Sequence, residues 1–146
     1  MNTFLVGTCL CEQVSFQVAA DLPNFYQCHC TKCRQVTGSA NNTGTLVANE
    51  QFAWLKGQEL VSHFVKETGY CSSFCSCCGS AMPNRLRDGA GYWVPAGALP
   101  ECDSRVVVHL CVDNMASWDH IEDQSKCYAS VPDLLLLRKL LAPESS

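Results

Sequence analysis

The chain has 146 residues, of which 47% are hydrophobic and 16% charged, with a net charge of −4. That length suits one domain around one core, and the charged share lies below the ~25% usual for soluble domains. There is no basic block, which argues against nucleic acid as a partner, because phosphate binding needs clustered Lys and Arg.

In chain order, the opening MNTFLVGTCLCEQ has no basic n-region and its apolar run breaks at Gly7, so it reads poorly as a signal peptide. Cys9-Leu10-Cys11 follows at once. Val14, Phe16 and Val18 alternate with Ser15 and Gln17, the pattern of a half-buried strand. After a Pro23-Asn24 turn comes Cys28-His29-Cys30-Thr31-Lys32-Cys33. Gly38 and Asn41-Asn42 mark further turns, and Leu60–Val65 reads as another strand. Cys75-Ser76-Cys77-Cys78-Gly79 is the third cysteine group. Tyr92–Val94 and, most strongly, Arg105–Val112 predict two more strands. Short strands separated by Gly and Pro turns predict a mainly β fold.

The tail differs. Asp133 is a good N-cap, Leu134, Leu137 and Leu141 share one helical face, and Pro143 ends the pattern. This predicts a short C-terminal helix packed on the sheet, with a homodimer contact as the sharper alternative. The LLLL run meets Arg138 and Lys139, far short of the ~20 residues of a membrane span. A cytoplasmic protein with no membrane partner is the expectation.

Twelve cysteines need an explanation. Tight CxC and CxxC spacings in a chain without a signal peptide point to metal rather than disulfides. A CxxC turn aims Cys75 and Cys78 at one ion, and Gly79 supplies the left-handed residue such a turn needs. Cys9 and Cys11 can complete a closed, four-thiolate structural site if a small kink near Gly7-Thr8 brings their sulfurs together. Cys28, Cys30 and Cys33 offer three thiolates within six residues, which leaves one zinc position open, as in catalytic sites. A closed second site remains the alternative, with His29, His63, His109, Cys71 or Cys77 as fourth ligand. So does a rival pairing in which the middle group borrows a cysteine from the third. Cys111 reads as a small buried hydrophobe, His109 as a satisfied core or edge histidine, and His120 as surface.

The order CxC, CxCxxC, CxxC resembles the glutathione-dependent formaldehyde-activating family, also called centromere protein V-like. The matching stretches are GTCLCEQVSF, CHCTKCRQVTGS and FCSCCGSAMP, with a looser match in VHLCVDNMASW. They span about residues 7–118 of one domain covering 1–146, and leave the tail at 132–146 outside. The resemblance implies an Mss4-like fold of layered antiparallel sheets with zinc knuckles. It implies two zinc ions per chain: a structural zinc at Cys9, Cys11, Cys75 and Cys78, and a second at Cys28, Cys30 and Cys33. The implied activity is that of a carbon–sulfur lyase, which joins glutathione and formaldehyde or cleaves S-hydroxymethylglutathione. Lys32 and Arg34, which flank Cys33, are the candidate substrate-binding cations. The alternatives are a non-catalytic zinc-stabilised binding module and a methionine sulfoxide reductase. The latter carries two CxxC zinc pairs, a layout this chain does not have.

Overall fold

The structure, a computed structural model, describes residues 3–143. In chain order the strands are β1 (Phe4–Thr8), β2 (Ser15–Ala19), β3 (Phe25–Cys28), β4 (Asn42–Ala48), β5 (Phe52–Lys56), β6 (Val61–Val65), β7 (Cys71–Cys75), β8 (Asn84–Arg85), β9 (Gly91–Pro95), β10 (Val106–Leu110) and β11 (Cys127–Tyr128). The helices are α1 (Thr31–Thr37) and α2 (Leu134–Leu141). The chain divides into two units: residues up to Leu22 with Leu46–Asp103, and Pro23–Thr45 with Ser104 onward.

The first unit is built around one aromatic side chain. Phe16 and Val18 of β2 are fully buried and Gln17 is half-buried, as the alternation predicts, although Ser15 at the strand's start is buried too. Gly7 lies directly across from Phe16 in the antiparallel β1–β2 pair. A Cβ at Gly7 would stand 2.2 Å from the tip of the Phe16 ring, so only glycine leaves room for it. On its other side β2 pairs with β5, whose Phe52 and Trp54 sit 5.8 and 6.2 Å from Phe16 between ring centroids. Burying such a ring is worth about 1.5–3 kcal/mol. Val14, Val47, Met82 and Val94 close the same core, which also takes in Cys9 and Cys75. β6 and β7 form an antiparallel hairpin, and β9, with β8 beyond it, borders the Leu46–Ala48 end of β4.

The second unit holds the order β11-β10-β3-β4. β10 runs parallel to both β3 and β11, whereas β3 and β4 are antiparallel. The mainly β expectation therefore holds, but the sheet is mixed rather than purely antiparallel. Its parallel pairs join segments far apart in sequence, which no hairpin signal reports. The strand expected at Arg105–Val112 ends at Leu110 because Cys111 turns left-handed, with φ 58° and ψ 40°. The C-terminal helix forms as predicted: Asp133 Oδ1 accepts from the Leu136 N–H at 2.8 Å, and Leu137 and Leu141 are buried. Leu135 and Leu136 are exposed. The helix end is tied to the start of β3 by the Asn24 N–H, which donates to the Leu141 carbonyl at 2.7 Å. No helix among the described residues is long and apolar enough to cross a membrane. The last three residues of the tail lie outside the described residues.

Candidate metal centres

Each unit carries one cluster of cysteine sulfurs. In the first, Cys9, Cys11, Cys75 and Cys78 place their sulfurs within 4.8 Å of one another. No strand kink is responsible. β1 ends at Thr8, and Cys9–Glu12 form a turn closed by the Glu12 N–H on the Cys9 carbonyl at 3.1 Å, with Glu12 left-handed at φ 66°. The second pair leaves the end of β7 in another turn. There the Gly79 N–H donates to the Cys75 carbonyl at 2.7 Å, and Gly79 takes the expected left-handed φ of 80°.

The two turns are laced together through Ser80. Its hydroxyl accepts from the Leu10 N–H at 2.9 Å and lies 3.3 Å from the Cys78 sulfur. Hydrogen bonds from the Ser80 hydroxyl, then from the Ser80 and Cys11 backbone, pull the Cys78 thiol down to about 5. One sulfur of the set is thus ready as a thiolate at neutral pH. The Val14 N–H points at the Cys9 sulfur at 3.4 Å. The separations Cys9–Cys11 and Cys11–Cys75 are 3.6 and 3.8 Å. Four sulfurs at about 2.3 Å from a tetrahedral zinc would stand about 3.8 Å apart, so this donor set fits that metal.

In the second cluster Cys28, Cys30 and Cys33 also lie within 4.8 Å of one another. β3 ends on Cys28, and Cys30 caps α1, its sulfur accepting from the Cys33 N–H at 3.3 Å. Helix α1 goes beyond the expected elements: its capping residue is a cysteine, followed eight positions on by a left-handed Gly38. The Cys28 thiol is raised by its hydrogen bond to Cys33 and by burial, and the Cys30 thiol by burial. The first cluster likewise holds raised thiols, Cys11 at about 12 and Cys75 through burial, beside the lowered Cys78. Soft sulfur donors at this spacing suit the same class of metal.

Among the described residues, no His, Cys, Asp or Glu joins these three within that spacing. His29 turns away from the sulfurs. It is buried, with Nε2 3.0 Å from His109 Nδ1 and Nδ1 3.6 Å from Asp119. Burial lowers both imidazoles, and the neighbouring His109 lowers His29 further. His109 is therefore the satisfied histidine expected. His63 bonds Ser73 at 2.6 Å, and neither Cys71 nor Cys77 belongs to either cluster. The third cysteine group meets Cys9 and Cys11, not the middle group. Lys32 is exposed on α1. Arg34 is half-buried, its Nη1 donating to the Asn114 carbonyl at 3.0 Å while its buried Nε has no hydrogen-bond partner.

Sequence reasoning misplaced Cys111. It is half-buried rather than buried, and its thiol meets that of Cys28. Burial and then Cys28 push it up to about 11. The only signal for this contact was its position just past an apolar strand.

The family model for glutathione-dependent formaldehyde-activating enzymes matches residues 4–113. The chain belongs to that family. Both clusters fall inside the matched region. The fold also resembles the crystal structure of a Rhodobacter sphaeroides protein at 22% identity and a TM-score of 0.55, over 67% of this chain and 90% of that one. No curated protein matches significantly.

Proposed function

We propose that this family member binds two zinc ions, one in each cluster, and acts as a carbon–sulfur lyase on a thiol–aldehyde adduct such as S-hydroxymethylglutathione. The observation that carries the proposal is the inequality of the clusters: four sulfurs gathered in one and three in the other. The four-sulfur set has the composition of a structural site. The three-sulfur set leaves room for a substrate atom.

Zinc held by Cys28, Cys30 and Cys33 would lower the pKa of a substrate thiol and keep it as thiolate. The chemistry is then simple. In the condensing direction the sulfur lone pair forms the C–S bond to the aldehyde carbon, the C=O π pair moves to oxygen, and oxygen gains a proton. The lyase direction reverses each change. The chain's own residues set the stage. The buried His29 side chain, bonded to His109, fixes the backbone between Cys28 and Cys30. Arg34 is committed to Asn114, so Lys32 is the cation available to a glutathione carboxylate. A cytoplasmic location fits, since a reducing compartment keeps thiols available as ligands.

Two measurements test the proposal. Elemental mass spectrometry should find two zinc ions per chain. Calorimetry should find that an analogue of glutathione bearing hydroxyl in place of thiol binds at least about tenfold more weakly than glutathione. Equal binding of the two would remove sulfur as the anchor and leave a zinc-stabilised binding module as the better reading.

A further inference from the structure

We infer that Cys111 is the resting fourth sulfur ligand of the metal held by Cys28, Cys30 and Cys33, and that a substrate thiol enters by exchanging with it. The inference rests on the reading of that cluster as a metal site.

Three observations support it. First, register places Cys111 there: Leu110 is the β10 partner of Cys28, and the His29 N–H donates to the Leu110 carbonyl at 2.9 Å. Second, Cys111 leaves the strand in a left-handed turn, where a side chain carrying a Cβ is strained, and its sulfur meets that of Cys28. An extended residue would have continued the ladder. Third, that turn is held from the cluster side. The Asn114 N–H closes the turn on the Cys111 carbonyl at 3.1 Å, and Arg34, one residue after Cys33, grips the Asn114 carbonyl.

Cys111 does not come within 4.8 Å of all three sulfurs at once. Contact with one member of the set, short of full membership, is what a displaceable ligand requires. It also removes an electrostatic difficulty. Adding a thiolate to three thiolates on a divalent ion would build up negative charge, whereas exchanging one thiolate for another leaves the charge unchanged. In that exchange the bond from the Cys111 sulfur to the metal breaks, the bond from the substrate sulfur forms, and the proton lost by the incoming thiol passes to Cys111.

The test is the sulfur count at the metal. Protein loaded with two cobalt ions per chain should lose about one-eighth of its sulfur-to-cobalt charge-transfer absorption in Cys111→Ser, since one of eight sulfurs is gone. Cys127→Ser, a half-buried thiol facing the Asp123 carbonyl, should leave the spectrum unchanged. An unchanged spectrum in Cys111→Ser, with both metals retained, overturns the inference. Should that variant fail to fold, X-ray absorption of the wild-type zinc protein decides. An average of about four sulfurs per zinc supports Cys111 as ligand, and about 3.5 overturns it while leaving the proposed function standing. A wild-type chain that holds only one metal overturns both.

Discussion

His29 Nε2 lies 3.0 Å from His109 Nδ1, and burial keeps both rings below the usual histidine range. One ring donates and the other accepts, so the pair is stable only while at least one of them is neutral. An unfolded chain would take up protons on both near pH ~6.5. Folding stability should therefore be full above that value and fall as pH drops toward the depressed native values. Urea unfolding of the metal-loaded protein between pH 7.5 and 5.5 measures the slope. The His29→Gln/His109→Gln double variant should show a shallower one.

The two clusters should also differ in acid. Cys78 is poised as a thiolate near 5, but its neighbours Cys11 and Cys75 are raised, as are Cys28 and Cys30 of the second cluster. Metal binding at either cluster must displace protons, so both affinities should fall as pH drops, and the three-sulfur set, with fewer bonds to its ion, should release it first. Metal content after dialysis at stepwise lower pH should halve before it vanishes. Simultaneous loss of both ions would contradict an unequal hold by the two sulfur sets.

Removing a ligand should separate the clusters by consequence. Cys75 is fully buried in the first core, and Cys75→Ser should prevent stable folding or cost at least about 3 kcal/mol. Cys30→Ser should leave a folded chain with one zinc, read by circular dichroism together with metal analysis. Unfolding by both substitutions alike would make both sites structural.

Phe16→Ala should cost about 3–5 kcal/mol, because the ring is fully buried between Phe52, Trp54 and the bare backbone of Gly7. Gly7→Ala should also destabilise, by forcing the ring off its position. Adding Gly7→Ala to Phe16→Ala should cost less than it does alone, a coupling that denaturant titrations of the single and double variants would reveal.

Much of this was legible in the sequence because the signals are local. The Asp133 cap and the leucine spacing specify α2, and the alternation around Phe16 specifies β2. The grouping of Cys9 and Cys11 with Cys75 and Cys78 was readable only as a compatible spacing, since partners 64 residues apart leave no local trace. The parallel run of β10 beside β3 was not legible for the same reason, and the contact between Cys111 and Cys28 follows from that register. The turn at Cys9–Glu12, in place of the kink expected near Gly7-Thr8, was not legible because its left-handed residue is Glu12, where glycine or asparagine would have announced it.

The contact between Cys11 and Cys75 has a consequence for how the chain assembles. A metal bridging them acts as a reversible staple on a loop of 64 residues, a constraint that in the chain-entropy picture is worth roughly 4 kcal/mol. Cys28, Cys30 and Cys33 are complete as a set long before Cys78 leaves the ribosome. The middle segment can thus capture an ion while the first unit is still in two pieces. On the proposed assignment, the site expected to hold its metal less firmly is the one positioned to meet metal first during synthesis, and the four-sulfur set is complete only after the whole middle segment has been made.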